Sequence, residues 1–215
     1  MARPALRPDE IESFRARLCQ AAMEMFAEQG YEAVTLRALA EKLGCSHALP
    51  YRYFADKREI FAAVCALGFD RFADALERAA EGVADPEERL RALGRAYFEF
   101  ALREPHAYRI MFELREPASG DFPHYQVKEI RSWQALLQAV ELAVQARVLA
   151  GDPVVVAHQL WAGLHGLVSL HLAGKLNLGR SAEELLAPHF EAMLAGNRPR
   201  SRTRTSTTPT RRRKR

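Results

Sequence analysis

The chain is 215 residues long, 48% hydrophobic, and carries a formal charge of +4. That length allows a full core and one or two domains, and the composition is normal for a soluble protein. No run of roughly eighteen apolar residues occurs, so no membrane span is expected, and the N-terminal Met-Ala-Arg-Pro-Ala-Leu-Arg-Pro lacks the apolar core of a signal peptide.

The charge is divided unevenly. Residues 198 to 215 hold nine Arg or Lys and no acid, which leaves 22 bases against 27 acids in the other 197 residues, a balance of −5. Pro, Ser, Thr and Arg dominate that end, too little apolar surface to order itself, so residues 196–215 read as a disordered basic tail. Cys19, Cys45 and Cys65 fit no metal or redox spacing and lie in or beside apolar faces, as small buried hydrophobes do. A cytoplasmic location follows as the expectation.

In chain order, Asp9 and Glu12 form a capping box for a first helix. Ile11, Phe14, Leu18, Ala21, Met25 and Phe26 make its apolar face, and Gly30 ends it. Thr35 can cap a second helix whose Leu36, Leu39, Ala40 and Leu43 share a face. Gly44 closes that helix and Ser46 can cap a third, leaving the short connection of a helix-turn-helix. In such a motif the second helix enters the major groove with its first residues at the base edges. Those residues are His47, Ala48 and Leu49. The same signals also suit a plain helical hairpin of a larger bundle, but Tyr51, Tyr53 and Phe54 then crowd the end of a short helix and Lys57 opens the next. Two of the aromatics can anchor the helix while a third turns its hydroxyl outward to a phosphate. Pro50 stands where an N–H should bond back to the Ser46 carbonyl, and a tightened or tilted first turn is expected.

A long helix is expected over residues 56 to 80, with Ile60, Phe61, Val64, Leu67, Phe72 and Leu76 along its stripe, linking this head mechanically to the next domain. Asp85-Pro86-Glu87-Glu88 starts another, with Leu90, Leu93, Tyr97, Phe100 and Ala101 inward. Pro105 opens a shorter helix through Tyr108, Met111 and Phe112, and residues 115–122 read as a loop. A further helix carries Tyr125, Ile130, Trp133, Leu137, Val140 and Val144. Gly151-Asp152-Pro153 is a stop, a cap and a start; the helix beyond holds Leu160, Trp161, Leu164, His165, Leu167, Val168 and Leu172. Ser181 and Glu184 cap a last helix that Pro188 should kink. No strand alternation or internal repeat appears, so the fold class is all-α.

Catalytic chemistry is sparse. His158, Trp161, His165 and Val168 share a helical face, which admits a metal or acid/base site; a buried histidine donating to a backbone carbonyl against Trp161 is the commoner arrangement. No carboxylate recurs at ligand spacing, and no phosphate loop, nucleophile elbow or paired-acid motif is present. No catalytic residue, metal or cofactor is assigned. Tyr97, Phe100, Phe112, Tyr125 and Trp133 could line an apolar pocket, though each alone is equally plain core.

From about Leu18 to Phe61 the chain resembles the TetR-type transcriptional repressors. The resemblance rests on Ala21-Ala22, Phe26 to Tyr31, Val34-Thr35, Leu39-Ala40, Gly44, Ser46, Tyr51 to Phe54 and Lys57. It implies that Thr35, Arg37, Ser46, Tyr51 and Lys57 grip phosphates and that His47, Ala48 and Leu49 face bases or groove walls. Arg52 and Tyr53 complete the candidate DNA-binding set. Pro50 departs from the family, which usually has a buried aliphatic or aromatic there. Residues 105–112 and Trp161 with His165-Gly166 resemble the ligand domain of a TetR subgroup with a Trp-His-Gly signature.

The resemblance therefore implies a DNA-binding head over residues 1–57 and a ligand-binding and dimerisation domain over 58–195. Its pocket would draw on Tyr97, Phe100, Met111, Phe112, Tyr125, Trp133, Leu137, Trp161 and His165. Residues 153 to 174 and 182 to 195 would pair two subunits, with Leu160, Leu164, Leu167, Phe190 and Met193 too apolar to leave in water. The expectation is a homodimeric repressor on a palindromic double-stranded operator, its half-sites about one helical turn apart, released by a small apolar or amphipathic effector and needing no membrane. Two alternatives remain open on the sequence alone. One is an α-helical small-molecule-binding protein or enzyme with a non-reading helix-turn-helix; the other is a sequence-tolerant nucleic-acid binder led by the basic tail.

Overall fold

Short polar caps decide where most of the helices start. A computed structural model describes residues 8–114 and 122–199, with their side chains except at 8–11 and 124–126. Helix α1 spans Pro8–Gln29, α2 Leu36–Lys42, α3 Lys57–Ala80, α4 Pro86–Arg103, α5 Pro105–Phe112, α6 Pro123–Gln145, α7 Pro153–Leu172 and α8 Ala182–Gly196. A 3-10 turn occupies Pro50–Arg52, and no strand occurs among the described residues. Asp56 accepts from the Glu59 amide at 2.9 Å to start α3, and Asp85 does the same for α4 through the Glu88 amide at 2.8 Å. Asp152 caps Val154 and Val155, and Ser181 with Glu184 makes a reciprocal capping box on α8. Each cap satisfies amides that the helix leaves without an internal partner. Helix α1 already runs at Pro8, ahead of the expected cap Asp9, whose side chain lies outside the described residues. So do residues 115–121 of the loop expected over 115–122, and the tail beyond 199. Helix α8 continues through Pro188 to Gly196.

The head is built from α1, α2, the 3-10 turn and the first half of α3. Leu18, Phe26, Val34, Leu39, Phe54 and Phe61 are almost completely buried in it, and the Phe26 and Phe61 rings meet edge to face at 5.0 Å. Further along α3, Phe69 and Phe72 change partners. Phe72 packs on Tyr97 and Phe100 of α4 and on Phe112 of α5. The apolar core is continuous from Leu18 in α1 to Leu194 in α8, so head and body share one packed interior through α3.

Charge ties the outer layers. Arg131 of α6 reaches Asp70, Asp74 and Glu77 along α3, and Lys128 adds a 2.8 Å bond to Asp70. Lys128 and Arg131 together hold the Asp70 carboxyl below its usual range. Arg91 of α4 grips Glu191 of α8 at 2.6 Å.

Helix α7 departs from the expectation, because by length and composition alone it could cross a membrane: its best window has a mean hydropathy of 1.2. Its apolarity does not form an uninterrupted run, since Gly, Ser, His and Gln are scattered through it. One side, with Val156, Leu160, Leu164 and Val168, is buried in the chain's own core. The excess apolarity lies on the other side, where Val155, Ala162, Gly166 and Leu170 are exposed.

Gly94 marks the tightest crossing between α4 and α8. A Cβ there would lie 2.8 Å from Phe190 Cε2 and 3.0 Å from its Cζ. A rigid ring cannot fold aside as a methionine end can, so Gly94→Ala should cost about 1–3 kcal/mol by overpacking, beyond the roughly 1 kcal/mol that alanine gains in helix propensity. Urea midpoints will show the loss, and Phe190→Leu in the same chain should restore most of it.

Candidate nucleic-acid interface and buried cavity

Thr35 accepts from the Ala38 amide at 3.1 Å and starts α2, as its position suggests. The helix ends with Gly44 at φ +64, and the Cys45 amide returns to the Ala40 carbonyl at 3.0 Å. The next segment differs from expectation. Ser46 does not cap a helix; its carbonyl takes the Leu49 amide at 2.9 Å, three residues on, and the Tyr53 amide returns to the Pro50 carbonyl at 3.0 Å. Pro50 has no N–H to offer the Ser46 carbonyl, so the bond forms one residue earlier and the segment tightens into a 3-10 turn.

That turn presents a compact outward face. Arg37, Ser46, His47, Ala48, Tyr51 and Arg52 are exposed, Leu49 and Tyr53 are half-buried, and Pro50 and Phe54 are buried beneath. Tyr53 lies on the Phe14 ring at 5.0 Å, so it anchors the turn, whereas Tyr51 stands outward at 58% exposure. Glu41 draws two of the exposed bases together: it lies 3.2 Å from Arg37 and 3.4 Å from His47 Nε2. Lys57 is not free at this face. Its Nζ donates to the Tyr31 and Glu32 carbonyls at 3.0 and 3.3 Å and sits 4.2 Å from the Tyr31 ring centre. It fastens the α1–α2 connection, and a phosphate would have to compete with those partners.

A cavity of about 220 Å³ lies in the body, walled by α3, α4, α6, α7 and α8 with Phe112 of α5. Of the residues the sequence pointed to, Tyr97, Phe112, Trp133 and Trp161 line it. Phe100 is buried against Phe72, Met111 lies on Gly68, Leu137 packs half-buried in the core, and His165 is half-buried against Tyr108. The side chain of Tyr125 lies outside the described residues. Sequence reasoning missed Phe69 and Phe72 of α3, Leu90 and Leu93 of α4, and Glu129, Ser132 and His158 at the opposite wall. Periodicity marks their helical faces as apolar, but not which faces leave a void.

Three of the residues expected between subunits also turn inward. Leu160, Leu164 and Phe190 line the cavity, Leu167 is buried in the core, and Met193 is half-buried against Gly163. A helix that is apolar all round does not reveal from sequence which face its own chain covers. The face left open carries Val155, Gln159, Ala162, Gly166 and Leu170 on α7 with Ala187, Pro188, Ala192 and Ala195 on α8.

Behind the cavity runs a chain of polar groups. The Tyr97 and Tyr108 hydroxyls are 2.8 Å apart, Tyr108 reaches His165 Nδ1 at 2.7 Å, and Ser169 Oγ is 3.3 Å from His165 Nε2. Burial pushes the Tyr97 hydroxyl up to about 12 and raises Tyr108 as well. It pushes His165 below its ordinary 6.5, so at neutral pH one ring nitrogen accepts and the other donates. The carbonyl-bonded histidine is instead His158, whose Nδ1 donates to the Val154 carbonyl at 2.8 Å beside Trp133.

Two family models match the chain: residues 18–64 fit the bacterial regulatory proteins of the tetR family, and residues 90–195 a tetracyclin repressor-like C-terminal domain. Among curated relatives, the HTH-type transcriptional activator FasR of Mycolicibacterium smegmatis is 32% identical over 99 residues, 46% of this chain and 45% of that protein. The HTH-type transcriptional repressor KstR2 of the same species is 27% identical over 137 residues, 61% of this chain and 66% of that protein. The chain thus spans from under half to just under two thirds of the length of these relatives. A solved protein with unknown function from Rhodococcus sp. RHA1 superposes with a TM-score of 0.75 at 27% identity, over 90% of this chain and 100% of its own. The TetR family regulator PfmR of Thermus thermophilus shares the fold, with a TM-score of 0.68 at 24% identity over 83% and 97% of the two chains.

The polar chain behind the cavity predicts a pH dependence. With the folded-state value of His165 below 6.5, the unfolded chain binds the proton more readily. The contribution is complete above about pH 6.5 and is lost as pH falls toward the folded value. His165→Gln should flatten the difference between urea midpoints at about pH 7.5 and about pH 5.5. Tyr108→Phe, which removes the hydroxyl bonded to both Tyr97 and His165 Nδ1, should lower stability by about 1–3 kcal/mol at neutral pH.

Proposed function

The chain belongs to the tetR family of bacterial regulatory proteins, and on that premise we propose that it is a homodimeric transcriptional repressor whose hold on its operator a small molecule weakens. One observation carries the reading. A tight, outward-facing turn with His47, Tyr51 and Arg52 exposed is joined by a single helix, α3, to the wall of an apolar cavity. The relative matched over 61% of this chain is itself named a repressor.

The exposed turn has the size of one reading element, which alone contacts few base pairs, so specificity calls for two heads on paired half-sites. The open face of α7 and α8 supports that pairing. Its small residues, Ala162 and Gly166 among them, let two helices approach closely while Val155 and Leu170 add apolar area. The buried Leu160, Leu164 and Phe190 support this face from below. In the reader, Thr35, Arg37, Ser46, Tyr51 and Arg52 meet phosphates, and His47, Ala48 and Leu49 meet base edges. A ligand in the cavity would press on Phe69, Phe72 and Leu76 of α3. It can shift the heads only by binding one arrangement more tightly than the other. Such a regulator acts in the cytoplasm and needs no catalytic group.

Operators recovered from genomic fragments test the reading. His47→Ala should change the ranking of single-base operator variants by roughly 1–3 kcal/mol at the affected pair, whereas Tyr51→Phe should weaken all sequences alike. Equal loss everywhere for His47→Ala would remove it from base reading. Gly166→Glu puts a charge at the centre of the open α7 face, where pairing would desolvate it. Sedimentation at micromolar concentration should show that variant as a monomer and the parent as a dimer.

A further inference from the structure

Resting on the repressor reading above, we propose that Glu41 reads one operator base pair, its carboxylate accepting from an exocyclic amino group, cytosine N4 or adenine N6, near the pair that His47 meets. Residues 36 to 55 carry Arg37, Lys42 and Arg52 but a single acid, Glu41. That acid stands on the exposed face with the bases. Its carboxylate lies 3.2 Å from Arg37 Nε and 3.4 Å from His47 Nε2, next to a side chain placed at the base edges. Lys42, its neighbour in sequence, is held instead by Glu24 of α1 at 2.8 Å.

A carboxylate on this face has few partners in a duplex. Phosphates repel it and compete with it for Arg37. Along the major-groove edge of the base pairs, ring nitrogens and carbonyls accept, and only the cytosine N4 and adenine N6 amines donate. Once Arg37 turns to a phosphate, Glu41 either meets an amine or is left as a desolvated charge without a donor, which is costly. The second case is a penalty against wrong sequences, and specificity is built from such penalties as well as from attractions. The carboxylate accepts in this way whether the imidazole beside it is charged or neutral.

Duplexes carrying the recovered operator, its single-pair variants and a random sequence of equal length test this on the full chain by fluorescence anisotropy. At one pair the parent should reject reversal, which puts a carbonyl where the amine stood, by roughly fivefold or more, the low end for a specific base contact. Glu41→Ala, with unchanged circular dichroism, should abolish that rejection, chiefly by raising affinity for the reversed duplex, and leave the ranking at other pairs intact. The base at that pair, cytosine or adenine, then identifies the amine. With His47→Ala in place, Glu41→Ala should still abolish the rejection; if it does not, Glu41 acts only by placing His47 and the proposal is overturned. It is overturned equally if Glu41→Ala changes the ranking at no pair, or weakens all sequences alike. A parent that binds operator and random duplex equally would instead overturn the repressor reading itself, and the role of Glu41 with it.

Discussion

Everything in this molecule depends on α3 being packed in two places at once. Its first turns contribute Ile60, Phe61 and Val64 to the head, and its later turns contribute Phe69, Phe72 and Leu76 to the body. Each such side chain stabilises the fold by about 1.5–3 kcal/mol when fully buried. The ion pairs of Arg131 along the same helix are partly exposed and worth at most about 1 kcal/mol apiece. Apolar burial therefore fixes where α3 lies, and the charges adjust how it is held. A cavity wall and a reading head built on one rigid rod cannot move independently.

A second strut completes the attachment. Arg109 of α5 donates to the Ala27 carbonyl at 2.6 Å. That carbonyl belongs to the last turn of α1, where helical acceptors lack internal partners and a cation is favourably placed. The head is thus pinned from the body twice, through α3 and through α5. Tyr108, in the same helix as Arg109, belongs to the polar chain behind the cavity. The two struts meet at Phe112, whose ring touches both Phe69 and Phe72.

How much of this was legible in the sequence follows a physical line. Helix starts were, because Asp56, Asp85, Asp152 and Ser181 act on amides within three residues, and local chemistry leaves local marks. Part of the cavity's aromatic lining was visible as well, in Tyr97, Phe112, Trp133 and Trp161. The inward turn of Leu160, Leu164 and Phe190 was not, since a helix apolar on two sides gives no sign of which side its own chain covers. The partners of Lys57 were hidden for a related reason: the carbonyls that hold it, at Tyr31 and Glu32, lie far away in sequence. Pro50 gave the right warning at the wrong strength. Its missing N–H predicted a tighter turn, and the whole segment followed into 3-10 geometry.

The shared interior has a consequence for the lifetime of the protein. An empty apolar cavity leaves wall atoms without neighbours, and that lost contact weakens the same core that holds the head. A ligand that fills it at about a hundred times its dissociation constant would add about 2.7 kcal/mol to the folded state. Because the core runs unbroken from Leu18 to Leu194, that gain is not confined to the body. Proteases that sample the unfolded chain would then meet it less often. A compound that shifted how the head sits would also change how long each copy survives, so occupancy and abundance would rise together.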